Sequence, residues 1–321
     1  MNHDPEVVII GAALVDIPLC PVDRGIFDFP SYPLDQISME IGGDAINEAT
    51  VITRLGHRVR LVTCIGEDPA GRFILEHCAR NQIDDAFIRR REGLATSINV
   101  ALITPDGERT FLTNRRGSLW SFAPEDIDLS CLNEGSILSF ASIFNSPLLN
   151  NGAMVEIFRR AKARHMTICA DIVGSRQGET LDDIREALSC VDYFFPNYQE
   201  ACALTGRDTL EEIAGVLLDL GIKTVVIKTG RQGAFLKTAG LQLQIPAYGR
   251  AKCIDTTGAG DNFVSGFLCG LLENKPAADC GRFACAVSSL AVEQIGATTG
   301  VRSRQQVERR YQEYLQEGAS R

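Results

Sequence analysis

The stretch DTTGAGDNF, residues 255–263, places three small residues, Gly258, Ala259 and Gly260, directly before the carboxylate of Asp261. Beyond this aspartate, apolar residues recur at helical spacing, at positions 263, 264, 267, 268, 271 and 272. The pattern predicts a helix that begins near Asp261 and a glycine turn that leads into it. The first turn of a helix has unpartnered amides and a positive dipole end, and glycines allow close approach to the backbone. The stretch therefore predicts a binding site for an anion such as phosphate.

Asp261 has two possible roles at this position. It could cap the helix, a role worth about 1 kcal/mol. Alternatively, it could lie beside a bound phosphate and accept the proton of an attacking hydroxyl. A weak base is enough for phosphoryl transfer, because positioning and charge neutralisation lower most of the barrier. The local residues leave both roles open.

The rest of the chain alternates short apolar runs with helix-length segments. The runs are nearly continuous in hydrophobicity, which is typical of strands covered on both faces. They occupy 7–10, 60–65, 136–140, 166–171, 193–197 and 224–230. Helical patterns occupy 43–56, 153–165 and 211–221. The alternation predicts βαβ units, a mainly parallel sheet and an α/β fold.

Two stretches interrupt this alternation. Residues 17–40 contain four prolines and show no helical period. Residues 96–113 predict a strand, a turn at Pro105-Asp106-Gly107 and a second strand, which together form a half-exposed hairpin. We interpret both as parts of a small β cover on the main layers, with ordinary surface loops as the alternative.

Composition limits the possible functions. The chain has 321 residues, of which 45% are hydrophobic and 23% are charged, as in ordinary globular proteins. Its net charge of −9 argues against a general nucleic-acid binder, which needs a basic surface. An acidic protein can still hold a small anionic ligand in a local nest of backbone amides.

Cysteine usage and the first residues predict a cytoplasmic protein. The eleven cysteines include no CxxC pair and lie mostly in apolar runs, which favours buried thiols over a disulfide or zinc framework. Acidic residues at positions 4 and 6 stand where a signal peptide would be basic. The apolar run at 7–15 is too short to span a bilayer and predicts a buried first strand.

The order of several motifs resembles the ribokinase-like (PfkB) carbohydrate kinase family over roughly residues 6–302. Residues 255–266 match the C-terminal signature of that family closely. Gly42 and Gly43, followed by Asn47 and an apolar helix, resemble its first signature. The other matching elements are Gly11, Asp16, PNYQEA (196–201) and KTGRQG (228–233).

This resemblance implies both a fold and an activity. The fold is a three-layer α/β/α sandwich with a mainly parallel sheet, forming one kinase domain over residues 1–321. Lid insertions at about 14–40 and 96–118 form a small β-sheet. The reaction is transfer of the γ-phosphoryl group of ATP, with Mg²⁺, to a hydroxyl of a sugar or sugar-like alcohol. The chain is thus expected to be an ATP-dependent phosphotransferase that has an alcohol group as acceptor.

The resemblance assigns the catalytic roles to the stretch quoted first. Asp261 is the catalytic base, and the amides of Gly258, Ala259 and Gly260 form the anion hole for the transferring phosphate. Helix dipoles and glycine turns predict the same anion site, and a proton acceptor is one of the two roles they leave open for Asp261.

Five residues correspond to sugar-binding positions of the family. A carboxylate beyond a strand end can accept hydrogen bonds from sugar hydroxyls, and an asparagine amide can both donate and accept. The alternatives are a solvated loop acid for Asp16 and a helix cap for the signature around Asn47. The five residues are Asp16, Gly42, Gly43, Asn47 and Asn145.

Two positions depart from the family pattern. Relatives that take sugar phosphates often have a lysine where this chain has Asp44, so the acid argues against a phosphorylated substrate. In the segment 171–176, Asp171 is retained, Arg176 lies one place late and the usual asparagine is absent. Asp171 could still face the path of the phosphate.

Another group corresponds to nucleotide and metal positions. Glu200 would help to hold Mg²⁺, partly through water, because this ion prefers carboxylates and phosphates and retains several waters. The alternatives are a capping pair for Asn197 and Glu200, a plain hairpin turn near Gly230 and a core helix near Cys285. The residues assigned to ATP are Asn197, Thr229, Gly230, Gly233, Cys285 and Ser289.

A monovalent cation such as K⁺ is a further expectation from the resemblance. Asp255, Thr257 and the segment 293–300 resemble the pair of loops that binds this ion in many relatives. The ligands would be mainly backbone carbonyls.

Two other functions stay open from the sequence. One is a nucleoside or vitamin kinase on the same fold, and the other is a non-catalytic sensor of sugar or nucleotide. The expected partner is a small-molecule sugar, with no nucleic acid and no membrane. The apolar lid residues Ile26, Phe27 and Phe29 predict a homodimer formed through the lid.

Overall fold

The computed structural model describes residues 4–105, 108–133 and 136–319. Within these residues fourteen strands form a nine-stranded main sheet and a five-stranded small sheet. In chain order the strands are β1 (Val7–Gly11), β2 (Leu14–Cys20), β3 (Gln36–Ile37), β4 (Glu40–Gly42), β5 (Val59–Gly66), β6 (Ile88–Arg91), β7 (Ile98–Ile103), β8 (Arg109–Thr113), β9 (Ile137–Ile143), β10 (Thr167–Ile172), β11 (Tyr193–Phe194), β12 (Thr224–Lys228), β13 (Ala234–Lys237) and β14 (Gln242–Ile245).

The main sheet has the order β14-β13-β12-β11-β10-β9-β1-β5-β6. All pairs from β12 to β6 are parallel, and β13 and β14 extend the sheet with antiparallel pairs. The mainly parallel sheet predicted from the apolar runs is therefore confirmed. The carboxyl ends of its parallel strands share one edge, where open α/β sheets bind ligands.

The apolar runs are continuous because both faces of the sheet are covered. In β1, Val7 and Ile9 pack into one core, whereas Val8 and Ile10 pack into the other. Successive side chains of a strand point to opposite faces, so a strand between two helical layers has no polar face. All four side chains are fully buried.

Ten α-helices occur among the described residues. Side chains of α1, α2, α8, α9 and α10 pack on one face of the main sheet, and those of α4, α5, α6 and α7 pack on the other. This arrangement confirms the predicted three-layer sandwich. The helices are α1 (Asp44–Arg54), α2 (Pro69–Asn81), α3 (Ser118–Ser121), α4 (Asn151–Ala163), α5 (Leu181–Leu188), α6 (Tyr198–Thr205), α7 (Leu210–Asp219), α8 (Ala259–Leu272), α9 (Ala277–Ala291) and α10 (Arg304–Ala319).

Two element boundaries differ from those expected. Helix α8 begins at Ala259, two residues before Asp261, because Gly258 takes a left-handed conformation and serves as the N-cap. The strand expected over 193–197 is only β11, two residues long, and Pro196 just beyond it has no amide hydrogen to donate to a ladder.

The small sheet has the order β3-β2-β7-β8, and β4 pairs with β2. The β7–β8 hairpin is antiparallel, as predicted, with Asn99 opposite Thr113. Asp106 and Gly107 of the predicted turn lie outside the described residues. The alternative of ordinary surface loops is wrong for the parts of both stretches that form these strands.

Other expectations concern cysteines and membranes. All eleven cysteines are free, so the disulfide alternative is wrong. No group of three or more His, Cys, Asp and Glu side chains in the described ranges is arranged to hold a metal ion. Among the same residues, no helix has both the length and the apolar character needed to cross a membrane.

Candidate active site

The candidate site lies where the parallel strands of the main sheet end. Asn145 follows β9, Asp171 lies at the end of β10, Asn197 follows β11 and Thr229 follows β12. Together with the start of α8 these ends border a cleft of about 1000 Å³. Ten of the residues predicted from the sequence line this cleft: Asn197, Glu200, Thr229, Gly230, Gly233, Ala259, Gly260, Asp261, Cys285 and Ser289.

The turn before α8 requires glycine at its first position. Gly258 has φ of 68°, and a methyl group there would lie 2.7 Å from the carbonyl oxygen of Ala297. Of the three amides predicted to form an anion hole, that of Ala259 donates to the Thr256 carbonyl at 3.1 Å, which closes the turn. Gly260 lines the cleft. The positive end of the α8 dipole therefore points toward the cleft.

Asp261 lies in the first turn of α8, but Gly258 and not Asp261 is the N-cap. Its Oδ2 atom accepts a hydrogen bond of 2.8 Å from Nδ2 of Asn47. Burial and the nearby carboxylate of Asp44 raise the pKa of Asp261 to about 8, although Asn47 and Lys228 oppose the shift. A carboxyl group with a raised pKa is a stronger base once it ionises, which suits a proton acceptor.

A buried ion pair lies beside this aspartate. The Lys228 ammonium contacts the Asp171 carboxylate, and both side chains are at least 86% buried. A methyl group at Gly260 would lie 3.3 Å from Lys228 Nζ, so the ammonium is close to the start of α8. Burial lowers the pKa of Lys228, but Asp171 and Glu200 outweigh that effect and the net pKa is raised, which keeps the amine charged.

Asp16 and Asn47 form the opposite side of the site. A methyl group at Gly42 would lie 2.0 Å from Asp16 Oδ2, so the carboxylate packs directly on this glycine. Within the described part of the chain, Asp16 Oδ1 and Asn47 Oδ1 are buried without a hydrogen-bond partner. Such atoms are costly unless something satisfies them, so these two oxygens are candidates for ligand contacts.

The carboxylates of Asp16 and Asp261 lie close enough for one neighbour to affect both. Burial and the Asp44 carboxylate together raise the pKa of Asp16 to about 6, although a hydrogen bond with Asn99 opposes the shift, and Asp44 also raises the pKa of Asp261. The charge of Asp44 thus acts on both acids. The solvated-loop alternative for Asp16 is wrong, because Asp16 lies within strand β2 and its Oδ1 atom is buried.

A chain of side chains extends from Asp44 to the edge of the site. Asn145 Nδ2 donates to Asp44 Oδ2 at 2.9 Å, and Arg176 donates to Asn145 Oδ1 at 2.7 Å. The Arg176 guanidinium also lies over the Trp120 ring, 5.5 Å from its centroid. The one-residue displacement of Arg176 from the family pattern therefore still brings it to the site.

The nucleotide side contains both a capping pair and open polar atoms. Asn197 Oδ1 accepts from the Glu200 amide at 2.9 Å, and Glu200 Oε2 accepts from the Asn197 amide at 2.8 Å. These bonds are the capping box that was the alternative for this pair. Burial and the Asp171 charge raise the pKa of Glu200 to about 7. Among the described residues, Thr229 Oγ1 is buried without a partner.

The remaining nucleotide positions also match their structural alternatives. The segment around Gly230 and Gly233 joins the antiparallel strands β12 and β13, as a plain hairpin turn would. Cys285 is buried in α9, and Ser289 accepts a 2.8 Å hydrogen bond from Arg310. These residues line the cleft as well, so the two descriptions are compatible.

The sequence profile of the family described as "pfkB family carbohydrate kinase" matches residues 4–304 of this chain. The chain belongs to this family. The family resemblance, the ribokinase-like fold and a carbohydrate kinase activity predicted from the sequence are thereby confirmed.

Similar proteins within the family include several ribokinases. The ribokinase of Staphylococcus aureus (strain COL) is 28% identical over 304 residues, which cover 92% of this chain and 96% of that relative. The aminoimidazole riboside kinase of Salmonella typhimurium is 30% identical over 233 residues, with 71% and 72% covered. The Thermotoga maritima ribokinase has a TM-score of 0.82 and 25% identity, with 96% and 99% of the chains covered. The Arabidopsis thaliana ribokinase, solved with ribose and ATP, has a TM-score of 0.81 and 25% identity, with the same coverage.

Several residues of this pfkB-family site were missed from the sequence. Glu48 is fully buried and accepts a 2.7 Å hydrogen bond from Ser139, beneath Asn47. Its signal was an acid inside the apolar stripe of a helix. Trp120, the single tryptophan, gave no local signal of its contact with Arg176. Lys228 could be taken for a strand-end lysine, because its partner Asp171 lies 57 positions away.

Proposed function

We propose that this chain is an ATP- and Mg²⁺-dependent kinase that phosphorylates a hydroxyl of an unphosphorylated sugar or sugar-like alcohol. The observation that supports this most directly is the meeting of Asp261, at the positive end of α8, with Asn47 at 2.8 Å. One side of that meeting point has buried oxygens without partners at Asp16 and Asn47. The other side is the long cleft that contains the predicted nucleotide residues.

The acceptor hydroxyl would bind between Asp16 and Asp261. Asp16 and Asn47 would accept hydrogen bonds from neighbouring hydroxyls and so orient the sugar. Asp261, in its ionised form, would take the proton of the attacking hydroxyl. The amides at the start of α8, with the Lys228 ammonium nearby, would stabilise the negative charge on the transferring phosphoryl group.

The cleft has the donor set that a nucleotide and magnesium need. Thr229 has an unpartnered buried hydroxyl, and Glu200 uses one of its carboxylate oxygens in the capping box. We propose Thr229, Gly230 and Gly233 for the ribose and phosphates, Asn197 for the phosphates, and Cys285 and Ser289 for the base. Glu200 would hold Mg²⁺ partly through water. When bound, the ion neutralises phosphate charge, which lowers the repulsion that the attacking oxygen meets.

The small sheet would act as a lid over the sugar, as predicted for the segments at about 14–40 and 96–118. Its closure would exclude water, which otherwise competes as phosphoryl acceptor.

We also propose that the lid forms a homodimer interface. Phe27 and Phe29 are 89% and 63% exposed, and such patches often mark interfaces. Light scattering of the wild type and of F27S/F29S tests this, and equal masses would contradict the dimer. We place the enzyme in the cytoplasm, where ATP is available and thiols stay reduced.

The charges around Asp44 favour a neutral sugar over a sugar phosphate. Asp44 accepts a hydrogen bond from Asn145, and Arg176 donates one to the same asparagine. The negative charge of Asp44 offsets the positive charge of Arg176. A phosphate placed here would meet a carboxylate where it needs a cation. A nucleoside or vitamin kinase stays the second candidate, since one relative is a riboside kinase.

A substrate panel scored by ADP release tests the proposal. Purified protein with ATP and Mg²⁺ is given free sugars including ribose, their phosphates, nucleosides and vitamins, and mass spectrometry identifies the product. We expect turnover with a free sugar and at least about tenfold lower kcat/KM for its phosphate, the cost of one unfavourable charge contact. Turnover confined to nucleosides would select the second candidate. ATP binding without ADP release on any compound would overturn the proposal and favour a sensor.

A further inference from the structure

The groups predicted to bind K⁺ are already occupied by hydrogen-bond donors of the protein. Asp255 is buried, and its Oδ1 accepts from the amide and hydroxyl of Thr257 at 2.8 and 2.7 Å. Its Oδ2 accepts from the Gly296 amide at 2.9 Å. The guanidinium of Arg109, in β8 of the small sheet, contacts Oδ1 as a fourth donor. A carboxylate has about four acceptor positions, and four donors already approach this one, three at Oδ1 and one at Oδ2.

The carbonyls of the neighbouring loop are used in the same way. Arg54 of α1 donates to the carbonyl of Val301 at 2.9 Å and also to that of Thr298. The other carbonyls of the loop with side-chain donors are those of Glu293, bonded by Gln294, Ile295 and Gly296, both bonded by Thr299, Ala297, bonded by Asn262, Thr299, bonded by Arg302, and Gly300, bonded by Gln306.

This arrangement does not fit a resident monovalent cation. An ion of this kind is held by several oxygens whose lone pairs converge on it, as carbonyl rings do in potassium-selective sites. Here donor hydrogens approach those oxygens, and a guanidinium already neutralises the carboxylate. Arginine stays charged at all relevant pH values and makes directional bonds that an ion cannot make.

We propose that Arg109 replaces the monovalent cation, so that the kinase does not need K⁺. Arg109 is a positioning residue that acts through Asp255. It neutralises Asp255, whose Oδ1 also holds the Thr257 amide, the residue directly before the Gly258 N-cap. Because Arg109 belongs to the small sheet, it also ties the lid to the turn that forms the anion site.

A second contact between the lid and the same loop supports this coupling. Glu40, in β4, lies beside Gly296, where a methyl group would be 3.1 Å from Glu40 Oε2. Strands β4 and β8 thus both reach the segment that binds Asp255. Removal of Arg109 should leave a buried carboxylate without its counter-charge and loosen the turn before α8.

The test compares wild type, R109M, R109K and the control R159M in KCl and in choline chloride of equal ionic strength. R159M also removes an arginine from an ion pair, but from the exposed Arg159–Glu186 pair on the protein surface. Two quantities are measured, the kcat/KM for the sugar and the melting temperature without substrate. This inference rests on the proposed kinase reaction only in the kcat/KM measurement, because the melting temperature needs no turnover. An error in the proposed function can therefore be distinguished from an error in the role of Arg109.

We expect wild type and R159M to have the same melting temperature and kcat/KM in both salts. R109M should melt lower in choline chloride and lose at least about tenfold in kcat/KM, and K⁺ or methylguanidinium should restore part of both. R109K should lie between R109M and wild type. A wild type that K⁺ stabilises or activates would overturn the proposal, and so would R109M behaving like R159M. A loss in R109M that neither cation restores would make Arg109 a structural contact only and would also overturn it.

Discussion

The substitution D261N separates proton transfer from binding more cleanly than other changes at this site. Asparagine has the same shape as aspartate, and its amide oxygen can accept the 2.8 Å hydrogen bond that Asn47 donates. The α8 N-cap is Gly258, so the helix does not depend on the carboxylate. The fold should persist while the ability to take a proton is lost.

The size of the effect depends on pH in a way that follows from the raised pKa. Loss of a general base costs about 10²–10⁴-fold, or about 2.7–5.5 kcal/mol at 1.36 kcal/mol per tenfold. The pKa of Asp261 is raised to about 8, so the base form accumulates only as the pH rises through that value. At pH 7 about one tenth of the wild type is active. The ratio of wild type to D261N should therefore grow about tenfold between pH 7 and pH 9.

The assay is kcat/KM for the best sugar from pH 6 to 9.5, with ATP affinity measured by calorimetry. Wild-type kcat/KM should rise about tenfold per pH unit below pH 8, and D261N should show no such rise. ATP affinity at pH 7 should change little, because most Asp261 side chains are already protonated and uncharged there. D279N is the matched control, since Asp279 occupies the first turn of the neighbouring helix α9. Turnover by D261N near that of D279N, or an acid limb retained in D261N, would refute the role of Asp261.

Three other predictions concern the sugar, metal and ion-pair contacts. G42A should raise the KM for sugar about 10–100-fold with little change for ATP, because the new methyl group would lie 2.0 Å from Asp16 Oδ2 and displace a charged acceptor. The Mg²⁺ concentration for half-maximal activity should fall as the pH rises through about 7, where Glu200 ionises, and E200Q should lose that dependence. K228M should lower the free energy of unfolding, measured with urea, by about 3–5 kcal/mol, because the buried Asp171 carboxylate loses its partner. The double variant K228M/D171N should recover part of this loss, because it also removes the unpaired carboxylate.

Local sequence was sufficient for much of the fold and for part of the site. The strand β1 is visible as VVII because both of its faces are covered, and α8 is visible because its apolar residues repeat with the helical period. The turn at Gly258 is equally local, since only glycine tolerates its conformation and the nearby Ala297 carbonyl. Each of these features depends on residues within a few positions of one another, so a pattern can reveal it.

The electrostatics of the site could not be predicted in this way. Lys228 and Asp171 lie 57 positions apart, and Asn47 and Asp261 lie 214 apart, so only the sheet order brings each pair together. The sequence shows that residue 44 is an aspartate. The effect of its charge on the pKa values of Asp16 and Asp261 depends on burial and distance in the fold. A pattern identifies which groups are present, whereas the pKa of each depends on its neighbours in the fold.

The contact between Arg109 and Asp255 shows what a sequence motif predicts about a site and what it misses. Asp255 and Thr257 fit the family's cation loop, and both lie in the turn that the motif predicts. The partner of Asp255 comes from the lid, 146 positions earlier, where family signatures are sparse. The motif therefore predicts that a positive charge lies beside this carboxylate, but it does not predict which residue supplies the charge. In this chain an arginine on a strand of the small sheet supplies that charge, and in the proposed function the same contact ties the proposed lid to the proposed anion site.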